Sequence, residues 1–190
     1  MKAMILAAGR GKRMMPLTAE LPKPMLCVAG KPLIEHHIMR LKAAGITQII
    51  INLAWQGDKI KTYFADGRAW GVTITYSQEV TGGLETAGGI IQALPLLGES
   101  FIVINGDVYS DYDVSALMQL HLQPKEAHIV LVENPAHNPD GDFTLSHLPT
   151  SSQRYTFSGI GRYQADFFEG LAPGIRPLGP LLREKLNEHL

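Results

Sequence analysis

Short apolar runs alternate with amphipathic segments along most of the chain. Five runs are rich in Ile, Val and Leu and contain few polar positions, which is typical of strands buried on both faces. Between them apolar residues recur at helical spacing, as with Ile34, Ile38 and Leu41 before the terminating Gly45. The predicted strands span residues 3–8, 48–53, 72–76, 101–104 and 128–132. The predicted helices span residues 33–44, 59–64, 84–94, 114–121 and 180–189.

This alternation predicts the fold class. Strands and helices that alternate at this spacing form βαβ units around a mostly parallel sheet. We therefore expect an α/β protein with a three-layer, Rossmann-like sheet that carries helices on both faces. After Pro135 the alternation stops, and residues 134–152 predict a loop with one short strand at 143–145, followed by another strand at 155–159. No repeat or linker divides the chain, so we predict a single domain over residues 1–190.

Composition limits the classes of function. The 190 residues are 45% hydrophobic, enough for a substantial core, and their net charge of −1 argues against an extended nucleic-acid or membrane surface. Cys27 is the only cysteine, which excludes an internal disulfide. The apolar start is too short for a signal peptide, and no run approaches the length of a transmembrane helix. We expect a cytoplasmic protein without nucleic-acid or membrane partners, either a monomer or a homodimer.

The loop after the first strand is unusually basic. In an open parallel sheet, ligands bind outside the carboxyl ends of the strands, so this loop is a candidate site. It combines two glycines with three basic residues, and a lysine between two prolines follows: Gly9, Arg10, Gly11, Lys12, Arg13 and Pro22-Lys23-Pro24.

A polyphosphate is the ligand that this loop predicts. Glycines let backbone N–H groups approach an anion, and the basic side chains add positive charge. The loop is not a dinucleotide fingerprint, because Met14 replaces the third glycine and Pro16 breaks the helix that should follow. It also lacks the Gly-Lys-Ser/Thr of a P-loop. A strand-to-helix turn with a solvated basic surface is the alternative.

Asp107 is a candidate metal ligand. It follows the apolar strand at 101–104, and Mg²⁺ commonly binds one or two protein carboxylates together with substrate phosphates. Asn105-Gly-Asp107 is also good turn chemistry, so a turn aspartate is the alternative. Asp111 and Asp113 are expected to be exposed caps of the next helix.

Several motifs, taken in order, resemble the sugar-1-phosphate nucleotidylyltransferases. These are residues 6–13, Pro22-Lys23-Pro24, residues 30–34, 84–89, 105–107 and 157–160. The resemblance implies transfer of a nucleotidyl group from a nucleoside triphosphate to a sugar 1-phosphate, with Mg²⁺ as cofactor and pyrophosphate as product. The short linkers and residues 105–112 are most similar to the branch that uses UTP and N-acetylmuramate 1-phosphate in bacterial cell-wall recycling. Guanylyl transfer to mannose 1-phosphate, thymidylyl or uridylyl transfer to glucose 1-phosphate, and a catalytically silent nucleotide-sugar sensor stay open.

The resemblance also implies residue roles. Arg13 holds the leaving β- and γ-phosphates, and Lys23 contacts the α-phosphate and the incoming phosphate. The Glu79 carboxylate accepts a hydrogen bond from the base. The full nucleotide-binding set is Ala7, Ala8, Gly9, Gly11, Glu79 and Gly83. The sugar-binding set is Asn105, Glu133, Asp142, Ser158 and Gly159. A lactyl carboxylate on the sugar would need a basic or amide partner, for which Arg162 and Arg176 are candidates.

The family's second metal carboxylate has no counterpart in this sequence. Relatives usually place it near the end of the catalytic domain, in a stretch resembling Trp-x-Asp-x-Gly-Thr. We therefore expect that the chain lacks the natural C-terminal segment and that Asp107 is the only strong protein ligand for Mg²⁺. Asp142 is the first alternative for a second carboxylate within the chain.

Overall fold

A seven-stranded sheet forms the centre of the protein. The computed structural model describes residues 1–80, 82–145 and 153–187. A separate two-stranded hairpin joins β2 to β3. The strands are β1 (Lys2–Leu6), β2 (Cys27–Val28), β3 (Lys31–Pro32), β4 (Gln48–Leu53), β5 (Thr73–Gln78), β6 (Ser100–Asn105), β7 (Ala127–Val132), β8 (Phe143–Thr144) and β9 (Arg154–Gln164).

The order of strands in the sheet is β5-β4-β1-β6-β9-β7, with β8 paired to β9. The first four strands in this order are parallel, and β9 runs antiparallel to both β6 and β7. In the central register Ile5 lies beside Ile51 on one side and Ile104 on the other. The mostly parallel α/β sheet is thus confirmed, and four strands end at the same edge of the sheet.

Helices cover both faces of this sheet. Successive strand residues alternate between two cores: Ile5 packs into one, with Ile38 of the first helix, and Met4 packs into the other, with Ile90 of the third. The first, second and fourth helices contribute to the first core, and the third and fifth contribute to the second. The helices are α1 (Leu33–Ala43), α2 (Gly57–Phe64), α3 (Glu85–Leu97), α4 (Val114–Gln119) and α5 (Leu178–Asn187). The three-layer arrangement is therefore confirmed. No helix in the described residues is long and apolar enough to span a bilayer.

The clearest differences from the sequence predictions are three. β9 is 11 residues long and antiparallel, whereas a short strand was expected at 155–159. α3 continues past Pro95 to Leu97, although proline has no N–H to donate to the carbonyl of residue 91. The β2–β3 hairpin, with two residues in each strand, was not predicted. Residues 146–152 of the predicted loop, and residues 188 and 189 of the predicted last helix, lie outside the described residues.

Candidate active site

A cleft of about 720 Å³ opens at the carboxyl edge of the parallel strands. The ends of β1, β4, β5 and β6, together with the segments that follow them, form its walls. The edge predicted for ligand binding therefore does contain a cavity. Of the predicted site residues, the following line it: Ala8, Gly9, Gly11, Arg13, Lys23, Glu79, Gly83, Asn105 and Asp107.

The basic loop after β1 is folded back against the segment that carries Lys23. Gly11 has φ +63°, and a Cβ atom there would lie 3.0 Å from Thr18 Cγ2 and 3.2 Å from Lys23 Cβ. The Thr18 hydroxyl, in a side chain that is almost fully buried, donates a hydrogen bond of 2.8 Å to the Gly11 carbonyl. Only glycine combines this backbone conformation with so close an approach. The result is that Arg13 and Lys23 border the same cavity.

Lys23 and Asp107 form an ion pair in the cleft. The Lys23 Nζ–Asp107 Oδ2 distance is 2.7 Å, and the two side chains are 29% and 37% exposed. A close approach of β1 to the turn after β6 brings them together. The Gly106 N–H donates to the Leu6 carbonyl at 2.9 Å, and a Cβ atom on Gly106 would lie only 2.7 Å from that oxygen.

Asp107 also fits the role of a metal ligand. Its carboxylate is partly exposed and borders the cavity beside the basic loop. Among the described residues no group of three or more His, Cys, Asp or Glu side chains could hold a metal ion. A single partly exposed carboxylate is compatible with a cation such as Mg²⁺, which can take one protein carboxylate and complete its shell with phosphate oxygens and water.

Helix α1 holds the turn that follows Asp107. The His37 ring Nε2 lies 2.7 Å from the Val108 carbonyl, and burial lowers the pKa of His37 to about 4. The ring is therefore neutral near pH 7, so Nε2 carries the proton and donates it to that carbonyl. One turn of helix away, the Arg40 guanidinium lies 5.4 Å from the centre of the Tyr109 ring. These contacts hold helix α1 against Val108 and Tyr109, which directly follow Asp107.

At the other end of the cleft, Glu79 is engaged within the protein. It is 5% exposed, its Oε1 accepts from Asn52 Nδ2 at 2.6 Å, and its Oε2 accepts from the Leu84 N–H at 2.8 Å. The sequence prediction assigned this carboxylate to the base, whereas both of its oxygens have protein donors. Ala7 is 1% exposed and donates its N–H to Asn52 Oδ1 at 2.8 Å. This N–H is therefore used within the protein and Ala7 does not line the cleft, so a role for Ala7 in nucleotide binding stays a prediction.

The predicted sugar residues are only partly brought together. Asn105 borders the cavity, and a Cβ atom on Gly159, which has φ +82°, would lie 2.6 Å from Asn105 Nδ2. Glu133 is exposed, and Ser158 Oγ accepts from the Ile160 N–H at 3.2 Å. Glu133, Asp142, Ser158 and Gly159 do not line the cavity.

Asp142 fastens a loop to β9. Its Oδ2 accepts from the Phe157 N–H at 2.9 Å and from Asn138 Nδ2 at 3.2 Å. The Asp142 N–H donates to the Tyr155 carbonyl at 2.7 Å. This bonding accounts for an aspartate at this position and disfavours it as a second metal ligand.

Arg162 is not a partner for a substrate carboxylate. It is 9% exposed, and its Nη1 donates to the carbonyls of Leu117 at 2.9 Å and Leu120 at 2.6 Å. The guanidinium therefore satisfies carbonyls at the end of α4, where a cation is favourable. Asp113, by contrast, caps the start of α4 as expected, since its side chain accepts from the Ser115 N–H at 2.9 Å.

Comparison with known proteins identifies the family. The family model described as "Nucleotidyl transferase" matches residues 2–143. The chain belongs to the nucleotidyl transferase family. The family predicted from the sequence motifs is confirmed, and with it the three-layer nucleotide-sugar transferase fold.

Individual members of the nucleotidyl transferase family show how far the likeness extends. An N-acetylmuramate alpha-1-phosphate uridylyltransferase of Neisseria meningitidis is 54% identical over 202 aligned residues, which cover 100% of this chain and 87% of that protein. A UTP–glucose-1-phosphate uridylyltransferase of Synechocystis is 39% identical over 64% of this chain, which spans 34% of that relative. A solved Bacillus anthracis structure, provisionally named a glucose-1-phosphate thymidylyltransferase, has a TM-score of 0.81 over 98% of this chain and 83% of its own. Because the two sequences are only 24% identical, this likeness shows the fold alone.

Two cleft residues of this nucleotidyl transferase were not among the predicted site residues. Asn52 is 3% exposed and joins Ala7 to Glu79. An asparagine inside the apolar run of β4 was the available signal, because a buried amide needs partners. Trp55 lines the cleft beneath Arg10, whose guanidinium carbon lies 4.5 Å from the ring centre. No sequence pattern pairs these two residues.

Proposed function

We propose that this protein transfers a uridylyl group from UTP to N-acetylmuramate 1-phosphate, which yields UDP-N-acetylmuramate and pyrophosphate. The observation that carries the proposal is the cleft in which Arg13, Lys23 and Asp107 meet at the edge of the parallel sheet. The choice of substrates rests on the Neisseria relative, which is 54% identical over the whole of this chain. A place in cell-wall recycling within the cytoplasm follows from that choice.

The proposed reaction is a direct displacement at phosphorus. A phosphate oxygen of the sugar 1-phosphate forms a bond to the α-phosphorus of UTP, and the bond from that phosphorus to the β-phosphate oxygen breaks. The electron pair leaves with pyrophosphate, so no protein nucleophile is needed. The protein contributes position and charge, which are the main terms in phosphoryl-type transfer.

Two cationic side chains serve different phosphates. Lys23 is an ammonium point charge on a short proline-flanked segment, suited to the α-phosphate and the incoming phosphate. Arg13 carries a planar guanidinium that can bind two oxygens of the leaving group. Arg13 forms no hydrogen bond or ion pair within the described residues, which leaves its donors free for a substrate.

Mg²⁺ bound at Asp107 would supply positive charge to the triphosphate. Lys23, which neutralises Asp107 at 2.7 Å, would then turn toward the phosphates. Ala8, Gly83 and Asn105 all line the cleft. We assign the first two to the nucleotide and Asn105 to the sugar.

A substrate matrix tests this function. UTP, GTP, dTTP and CTP are each combined with the 1-phosphates of N-acetylmuramate, mannose and glucose, and pyrophosphate release is measured with Mg²⁺ present. UTP with N-acetylmuramate 1-phosphate should give the highest kcat/KM. A higher value for GTP with mannose 1-phosphate, or for UTP or dTTP with glucose 1-phosphate, would contradict the proposal.

A further inference from the structure

We propose that Asn52 and Glu79 are positioning residues for the nucleobase, acting through the backbone rather than by touching the base. This inference rests on the proposed function, because it concerns the nucleotide end of the same cleft. The two side chains, hereafter the Asn52–Glu79 pair, belong to residues that are 3% and 5% exposed. In this role the pair does not touch the base but holds in place the backbone segments that surround it.

The pair connects four parts of the fold. Asn52 lies in β4, and its Oδ1 accepts from the Ala7 N–H at the end of β1. Glu79 follows β5, and its Oε2 accepts from the N–H of Leu84, just before α3 begins. The 2.6 Å bond from Asn52 Nδ2 to Glu79 Oε1 closes this connection. The residues that follow Ala7 and precede Leu84 in the chain both border the cleft.

The direction of each hydrogen bond is fixed by chemistry. A backbone N–H can only donate, so the Ala7 N–H must face Asn52 Oδ1, and Asn52 Nδ2 must then face Glu79. The Leu84 N–H likewise requires an acceptor, which Glu79 Oε2 supplies. The two backbone donors therefore require two acceptors. The amide at position 52 provides one and the carboxylate at position 79 provides the other.

Helix α3 supports the pair from behind without adding a side chain. A Cβ atom on Gly89 would lie 2.4 Å from Glu79 Oε1 and 2.9 Å from Asn52 Nδ2. The Leu84 carbonyl is also held, because it accepts from the N–H of residue 176 at 2.9 Å. Glu85, the next residue, has φ +60°, a conformation that a non-glycine residue keeps only where its surroundings impose it. The entry to α3 is thus a constrained backbone, and Glu79 supplies one of the constraints.

Exchanging the two polar groups tests the inference. In Glu79→Gln the new NH₂ faces either Asn52 Nδ2 or the Leu84 N–H, and in Asn52→Asp two carboxylates face each other. The double variant Asn52→Asp/Glu79→Gln reverses the central hydrogen bond. The carboxylate now at position 52 still accepts from the Ala7 N–H and also accepts from the amide nitrogen now at position 79. The amide oxygen at position 79 accepts from the Leu84 N–H, so every hydrogen bond is restored while the carboxylate has left position 79.

The measurement is calorimetric binding of UTP with Mg²⁺, with inorganic tripolyphosphate as the reference ligand that lacks a base. Each single variant should raise the UTP Kd about tenfold or more, as expected for a buried polar mismatch, and change the tripolyphosphate Kd less than about twofold. The double variant should return the UTP Kd to within about threefold of the wild-type value. Melting temperatures are recorded for all four proteins.

Two results would overturn the inference. A wild-type UTP Kd in Glu79→Gln would show that the pair does not position the base. A double variant as weak as the weaker single variant would show that the Glu79 carboxylate itself contacts the nucleotide. If a single variant does not fold, the UTP Kd of the double variant is compared directly with that of the wild type, and the same threefold limit applies. Tighter binding of GTP than of UTP by the wild type would instead refute the proposed function, and the exchange would then be measured with GTP.

Discussion

At the scale of single residues, Lys23 lies 2.7 Å from Asp107 in the cleft, where substrate phosphates would compete for its ammonium group. Lys23→Ala should therefore lower kcat more than it raises KM, since its charge matters most as negative charge builds on the α-phosphate. Loss of one such group costs on the order of 3 kcal/mol, or about two decades in rate. Steady-state kinetics with UTP and N-acetylmuramate 1-phosphate measure both constants.

The matched control for Lys23 is Lys42→Ala. Lys42 is an exposed lysine near the end of α1, and it does not line the cleft. This variant should keep kcat and KM within about twofold, as is usual for surface substitutions. A Lys23→Ala enzyme with a kcat similar to that of the control would assign Lys23 a purely structural role.

His37 makes stability depend on pH. Burial lowers its pKa from 6.5 to about 4, so between these values the unfolded chain binds a proton that the folded protein does not. The free energy of unfolding should therefore fall as the pH drops from 6.5 to 4, by up to about 3 kcal/mol from this residue. Urea denaturation of wild type and His37→Gln at pH 7 and pH 4.5 measures the difference.

The glutamine variant keeps an N–H donor but does not titrate, so it should lose less stability than wild type on acidification. The control is His137→Gln, an exposed loop position, which should behave like wild type. An equal loss in wild type and His37→Gln would mean that His37 is not held neutral in the folded protein.

The sequence predicted which residues lie in the cleft better than it predicted what each of them does there. The motifs placed Arg13, Lys23 and Asp107 in one cleft, because each is a charged residue near the carboxyl end of a strand or on the loop that follows it. Ala7, by contrast, is buried and does not line the cleft, and a sequence does not show which of two consecutive residues faces a cavity. The role of Asn52 depends on its meeting Glu79, 27 residues away, and only the folded sheet brings them together.

At the scale of elements, helix α3 contains a glycine, a residue with low helix propensity, in its interior. Gly89→Ala should gain about 1 kcal/mol of helix propensity but force its Cβ atom onto Glu79 Oε1, 2.4 Å away. Such overpacking typically costs about 1–3 kcal/mol, so the melting temperature should fall and UTP binding should weaken. Thermal unfolding and calorimetric titration measure the two effects.

Gly179→Ala in α5 is the matched control. The nearest atom to a Cβ there is the end of the flexible Arg183 side chain, at 3.5 Å, so the substitution should leave stability unchanged or slightly raise it. A Gly89→Ala protein as stable as this control, with normal UTP binding, would show that the space beside Glu79 is not required.

Strands and helices were predicted correctly from the sequence where a segment showed a single clear pattern of apolar and polar residues. The strand predicted at 48–53 is confirmed with both of its ends, because an apolar run between polar turns has few alternatives. β9 was underestimated because Gly159, Gly161 and Arg162 interrupt its apolar pattern. Its length depends on pairing with both β6 and β7, and such partners are not visible in a local pattern.

At the scale of the whole molecule, the sheet order is consistent with the proposal that one cleft binds two substrates. β5, β4 and β1 end at the part of the cleft proposed for the nucleotide, while β6 ends at Asn105, two residues before Asp107. The basic loop after β1 lies between these groups, since β1 is flanked by β4 and β6. The fold class was predictable because βαβ alternation restricts the topology strongly. That the chain lacks a natural C-terminal segment stays a prediction.

The proposed transfer requires that this cleft join a uridylyl group to a sugar phosphate rather than bind nucleotides silently or hydrolyse them. Product analysis by ³¹P NMR and mass spectrometry, after incubation with UTP, N-acetylmuramate 1-phosphate and Mg²⁺, distinguishes these activities. We expect UDP-N-acetylmuramate and pyrophosphate in equal amounts, with neither formed when one substrate is omitted. UMP formed without the sugar phosphate, or UTP that binds but is never consumed, would contradict the proposed transfer.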